Sequence, residues 1–370
     1  MKPQDPPPAL RVHQEEPMNA EPTLDLLRER FITPEPHFYI RNHGPTPTID
    51  PAAYRFSVNG LVQTPLHLSL EALRHSFPQR TVMATLQCAG NRRNEMMEVA
   101  PIPTEIAWEA GAIGNATWTG VPLSAILEAA GVEDTARHVA FMGMEEVLRE
   151  GKSVGYGSSI PIEKGWNSEV LLAYEMNGEP LTPVHGFPLR LIVPGYIGAR
   201  SVKWLTTITL QEEPSSNYFQ AHAYKLFPPH INKDTVDWNQ GTMLGELAVN
   251  AVICQPQEGD MLTVGAVQVR GYAVAGDGRT IQRVELSVDE GASWSETTLG
   301  EGGEPWAWRF WETTLNLHDG TKTLIVRAWD DTECGQPEDI ASLWNFKGYM
   351  NNGWHRITLL VRDPLHQQEG

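Results

Sequence analysis

Cys88 stands in Thr85-Leu86-Gln87-Cys88-Ala89-Gly90-Asn91-Arg92-Arg93. A lone cysteine is usually a small buried hydrophobe. Three neighbouring features point to chemistry instead. Ala89 and Gly90 leave room for backbone or ligand to approach closely. Arg92 and Arg93 favour the thiolate over the thiol. A thiolate suits soft or high-valent metals in sulfur-rich shells. The expected centre is a metal that handles a small oxyanion.

Four further patches carry polar groups in places where a ligand could meet them. His37-Phe38-Tyr39-Ile40-Arg41-Asn42-His43-Gly44 ends in a tight loop with donors on Arg41, Asn42 and His43. His185 to Arg190 and Gly195 to Lys203 read as a strand end feeding a glycine-containing loop with basic groups. Backbone amides and cations at such a loop can hold a phosphate. Tyr224-Lys225 offers a phenol, and Trp344 to Arg356 is rich in aromatic residues. Turn chemistry and core packing explain each patch equally well when it is taken alone. The sequence contains no P-loop or dinucleotide fingerprint.

These patches must be positioned by a chain of 370 residues, a length that predicts two domains. Hydrophobic residues make up 41% and charged residues 20%, as in an ordinary globular protein, and the apolar runs are too short for a membrane span. The net charge of -18 argues against nucleic acid or an anionic membrane as partner and permits a basic protein partner. Three scattered cysteines argue against a disulfide framework or a multi-cysteine zinc site. The N-terminal sequence lacks a secretory pattern, so the expected compartment is cytoplasmic, or periplasmic if an export signal has been removed.

The proline-rich residues 1–22 read as an extended arm. Residues 23–240 mix short strands with helices. Apolar spacing predicts helices over Leu68–Ser76 and Leu123–Ala130, the second ending at Gly131, and a buried strand over Leu189–Val193. Beyond a linker near Asp237 to Gly245 the texture changes. Val264–Tyr272, Ile281–Val288, Trp306–Thr313 and Leu324–Trp329 read as strands separated by turn signals. Residues 241–370 are therefore expected to form an immunoglobulin-like β-sandwich.

Taken together in their order and spacing, the patches resemble the sulfite oxidase family. The resemblance runs from Phe31-Ile32-Thr33-Pro34 to Trp354-His355-Arg356. It includes Leu171 to Gly178 and Trp306-Ala307-Trp308-Arg309. It implies an α+β protein, with a mixed α+β molybdopterin-binding domain followed by an immunoglobulin-like dimerisation domain, hence a homodimer. It also implies a molybdenum–molybdopterin cofactor and no haem. No His-Pro-Gly-Gly haem motif occurs, and the haem-free plant and bacterial members are the nearer likeness.

By the resemblance, Cys88 is the protein ligand to molybdenum. Tyr39, Ile40, Arg41, Asn42, His43, His185, Arg190, Ser201, Val202 and Lys203 are implied to hold the pterin and its phosphate. Glu145 stands where the family places an aspartate on the cofactor. Arg41, Arg93, Trp108 and Tyr224 are implied to line the substrate pocket. Lys347 departs from the family: sulfite oxidases carry arginine there, whose planar fork a lysine lacks. The implied reaction is oxidation of sulfite to sulfate with reduction of Mo(VI) to Mo(IV). Lys347 keeps open the alternative of another oxyanion, such as nitrate. The electron acceptor is not readable from the sequence: the acidic charge permits a basic c-type cytochrome, and the likeness to plant-type members permits oxygen.

Overall fold

The computed structural model describes residues 10–149 and 151–363. Two five-stranded sheets frame its first part. One runs Glu179–Pro180, Leu171–Met176, Ile113–Pro122, Arg80–Gln87, with Arg190–Ile192 also paired to Leu171–Met176. The other runs Leu66–Ser69, Arg55–Gly60, Leu205–Gln211, His138–Arg149, Lys152–Pro161. Valine, isoleucine, leucine and phenylalanine from both sheets share one core with the helix Leu123–Ala130. That helix has the expected bounds, and Gly131 closes it at φ 65°. The other expected helix starts later, at Leu70, because Leu66–Ser69 is drawn into the sheet beside Arg55–Gly60. The Ser69 hydroxyl then accepts a hydrogen bond from the amide of Ala72 and caps the helix.

Residues Leu10–Gln14 and Asn19–Pro22 correct the expectation of an extended arm. They form an antiparallel hairpin, and Asn19–Pro22 pairs in turn with Ile40–Arg41. Proline content by itself predicts an extended arm. What holds the hairpin down is buried polar bonding, since Asn19 and Glu21 are both fully buried. Residues 1–9 lie outside the described residues.

The second part is a β-sandwich. A four-stranded sheet of Asn250–Gln255, Gly265–Val274, Arg309–Leu317 and Thr298–Leu299 faces a five-stranded sheet. The latter runs Met261–Thr263, His355–Arg362, Gly320–Asp330, Ile281–Ser287, Ser295–Glu296. Their inner faces bury Ile253, Val269, Trp311, Leu324, Val326 and Leu359. The strand expected from Trp306 begins instead at Arg309, because Trp306 takes a left-handed φ of 76°. The sandwich also closes over the first part. Val252, Tyr272, Trp308 and Phe310 belong to the core of the first part, and the Tyr272 hydroxyl donates to the Ala110 carbonyl at 2.8 Å. No helix among the described residues is long and apolar enough to cross a membrane.

Candidate active site

The strand Arg80–Gln87 delivers Cys88 to the floor of a cleft. Cys88 is buried, its amide donates to Ala112 at 2.9 Å, and the Gly90 amide points at its sulfur at 3.4 Å. Burial pushes the thiol pKa up, and Arg41, Arg93 and the Gly90 amide only partly offset it. A metal bound here must therefore displace the thiol proton. The expectation that Arg92 would activate the thiol fails. Arg92 is fully buried, with φ 64°, and bonds Glu95, Asn250 and the Gly353 carbonyl, which pins the sandwich to the Cys88 loop. Arg41 supplies that charge instead, as the largest favourable influence on the thiolate.

The second wall comes from the short strand Ile40–Arg41 and the loop after it. Tyr39, Arg41 and His43 line the cleft, whereas Ile40 and Asn42 are buried behind it. The Arg41 guanidinium donates to Asn19 Oδ1 at 3.2 Å and to the Asn42 carbonyl. Burial opposes its charge, yet Tyr224, Cys88, Tyr349 and Glu105 together raise its pKa. Glu145 lines the cleft, but its Oε1 accepts the amides of His43 and Gly44, both at 2.7 Å. Its visible task is thus to anchor the His43 loop. The half-buried His43 ring stacks on Tyr156 at 4.7 Å, and its Nε2 lies 2.9 Å from the Tyr224 hydroxyl. Burial and neighbouring cations, led by Arg41, hold His43 neutral, with its pKa well below 6.5. Burial likewise pushes the Tyr224 phenol up to about 12.

The third wall is built by His185, Arg190, Ser201 and Lys203, with Gly198 and Ala199. Gly198 is required for space, because a Cβ there would come within 2.6 Å of the Tyr39 hydroxyl. Val202 packs in the core and does not line the cleft. Lys203 spends its donors on Arg41 O, Val184 O and Asn42 Oδ1, and burial lowers its pKa. Arg190 donates to His185 O at 2.9 Å and Ser201 O at 3.3 Å, but its Nε is buried with no partner among the described residues. A buried donor left unpaired is costly, and a ligand oxygen would satisfy it. Arg41, Arg190 and Lys203 face Glu145 across the cleft, so the lining carries excess positive charge. The thiol, the unpaired guanidinium nitrogen and this charge fit a metal-bearing, phosphate-bearing cofactor.

The residues expected around the substrate divide. Tyr224 lines the cleft, and Arg93 acts on Cys88 from beside it. Arg93 lies against Gly90 and donates to Ile106 O at 2.8 Å and Lys347 O at 3.0 Å. Lys347 is ion-paired with Glu105. Trp108 does not line the cleft. It is fully buried, with His13 packed edge-on against it at 4.9 Å and its indole N–H unpaired among the described residues. The small residues Ala89, Gly198 and Ala199 line the cleft in the segments expected to admit a ligand, whereas Phe38 and Leu86 lie within the expected patches without an expected role and Tyr156 lies outside them all. Only the fold brings Tyr156 to the cleft.

The profile of the oxidoreductase molybdopterin binding domain matches residues 43–219, and that of the Mo-co oxidoreductase dimerisation domain matches 242–362. Sulfite oxidase of Arabidopsis thaliana is 40% identical over 379 residues, covering 96% of this chain and 95% of that protein. The chain belongs to the sulfite oxidase family. Mitochondrial sulfite oxidase of Rattus norvegicus is 43% identical over 96% of the chain, which spans 66% of the rat protein's length. The inducible NADH nitrate reductase 2 of Glycine max, another relative, is 37% identical over 96% of the chain and 42% of its own length. Among solved structures, the sulfane dehydrogenase SoxCD from Paracoccus pantotrophus superposes with a TM-score of 0.76 at 28% identity. That match covers 91% of this chain and 83% of the other. The fold is therefore a molybdopterin-binding domain followed by a Mo-co dimerisation domain.

Proposed function

We propose that this protein oxidises sulfite to sulfate at a molybdenum–molybdopterin cofactor held by the cleft around Cys88. Sulfite and water yield sulfate, two protons and two electrons, and the electrons pass to an external acceptor. When bound, the cofactor supplies the two-electron redox chemistry. In this reading Cys88 would be its protein ligand, and Tyr39, His185, Arg190, Ser201 and Lys203, which line the same cleft, would hold its pterin and phosphate. The single observation that carries this reading is the cation-lined cleft with one inward thiol, in a chain 40% identical to a sulfite oxidase over almost its whole length.

The chain's own part in the reaction is electrostatic. Arg41, tethered by Asn19, and Arg93, tethered by the Ile106 and Lys347 carbonyls, draw an anion toward Cys88 in a site of low dielectric. The Tyr224 phenol stays protonated at neutral pH and shares a hydrogen bond with neutral His43. That pair can hold or pass a proton released as water is consumed. Nitrate reduction is the second reading. The soybean relative and the ion-paired Lys347 favour it. A c-type cytochrome or oxygen is the proposed acceptor, and the dimerisation-domain match supports a homodimer.

Molybdenum-loaded protein should be assayed for sulfite-dependent ferricyanide reduction in parallel with nitrate reduction by a reduced viologen. Sulfite turnover alone is expected. Nitrate turnover without sulfite turnover would overturn the substrate assignment and leave the cofactor assignment standing.

A further inference from the structure

Beside the cleft, a carboxylate occupies a cluster of anion-binding groups. Glu105 Oε1 contacts Lys347 Nζ, and its Oε2 lies 3.9 Å from Arg93 Nη1. The three residues are tied together by the backbone as well. Arg93 Nε donates to Lys347 O at 3.0 Å and Gly348 O at 3.2 Å, and Nη1 donates to Ile106 O at 2.8 Å. Gly348 is at φ 60°, where a Cβ would come within 2.6 Å of Arg93 Cγ. The Arg93 guanidinium sits 5.1 Å and the Lys347 ammonium 5.8 Å from the ring of Tyr349, which stacks at 5.2 Å on Tyr224 of the cleft. Thr104, immediately before Glu105, is a β-branched residue held at φ 72°. Such a conformation is unfavourable and persists only where its surroundings enforce it.

We propose that Glu105 is a specificity-determining residue, an internal counter-ion that cancels the charge of Lys347 and lowers the positive potential met by an anion at this site. The proposal rests on reading the cleft as an oxyanion site. Lysine presents one compact charge, so a single carboxylate in contact with it leaves little for a ligand. Burial disfavours the Glu105 carboxylate, but Lys347 and Arg93 outweigh it and hold its pKa below the usual value, so the counter-charge persists at neutral pH. Its influence reaches the cleft, because Glu105 also acts on Arg41 and Tyr224. Electrostatic energy scales with ligand charge. An internal negative charge therefore penalises a dianion twice as much as a monoanion and narrows the preference of the site for dianions.

The test is calorimetric titration of molybdenum-loaded wild-type and Glu105→Gln protein with sodium sulfate and with sodium nitrate at constant ionic strength. Sulfate should bind about tenfold more tightly to the variant and nitrate about threefold, the tenfold factor being close to the square of the threefold one. Unchanged or weaker sulfate binding would overturn the proposal. Equal factors for the two anions would also overturn it, since they would report a rearranged loop and not a removed charge. Should Glu105→Gln fail to accumulate as folded protein, Glu105→Ser removes the same charge and is read the same way. Neither anion needs to be turned over, so a wild-type enzyme inactive with sulfite would refute the proposed substrate while leaving this result legible.

Discussion

Arg41 shows how one side chain links chemistry and architecture. It lines the cleft, favours the Cys88 thiolate, and carries a pKa raised by the phenols, thiol and carboxylate around it despite its burial. Arg41→Gln keeps the shape and part of the hydrogen bonding while removing the charge. A charge-assisted hydrogen bond contributes about 1.5–3 kcal/mol, so KM for sulfite should rise by about ten- to a hundredfold. Steady-state kinetics on cofactor-replete variant check this, and an unchanged KM would remove Arg41 from the anion site. Arg92, its rival in the sequence, is instead consumed by Glu95 and by the sandwich.

At the scale of elements, the N-terminal hairpin is the unexpected support. Asn19 Oδ1 accepts from Arg41 Nη1 at 3.2 Å and from the Asn42 amide at 3.1 Å, while its Nδ2 donates to Pro17 O at 2.9 Å. Two residues on, Glu21 accepts the amides of Glu109 at 2.8 Å and Gly111 at 2.9 Å, in the loop that carries Trp108. One short hairpin thus braces both sides of the site. Asn19→Ala leaves the Asn42 amide and one Arg41 donor without their buried acceptor. It should lower stability by about 1–3 kcal/mol. It should also raise KM for sulfite more than it lowers kcat. Denaturant titration alongside kinetics separates the two effects, and a stability loss with unchanged KM would make the hairpin structural only.

For the whole molecule, acid lability follows from histidines buried in the neutral form. His355, in the sandwich, accepts the Ile253 amide on Nδ1 at 3.2 Å, and burial lowers its pKa to about 4, with Glu95 only partly compensating. His185, in the cleft, is lowered to about 3 by burial, with Lys203 and Arg190 adding to the effect. In each case the unfolded chain binds a proton that the folded chain refuses. Their stabilisation is present above pH 6.5 and is lost as pH falls toward 4 and then 3. The His355 shift alone corresponds to about 3 kcal/mol. Denaturant midpoints measured from pH 7.5 to about 4.5 should fall, and His355→Gln should flatten part of that slope. A slope unaffected by the substitution would place the acid sensitivity elsewhere.

The sequence determined the chemistry available and the order of the elements. Cys88 with its small neighbours, the basic loops near His43 and Lys203, the helix ending at Gly131 and the alternating strands beyond Asp237 all depend on residue type and local spacing, which a linear chain displays directly. Tertiary structure decided which charges face one another. Arg92 and Arg93 are adjacent in sequence, yet one fastens two domains and the other reaches toward Cys88. Glu105 neutralises Lys347 across 242 positions, and Asn19 orients Arg41 across 22. Those pairings arise where distant segments pack in a low-dielectric interior, where the strength of a charge depends on its distance and burial and not on its place in the chain.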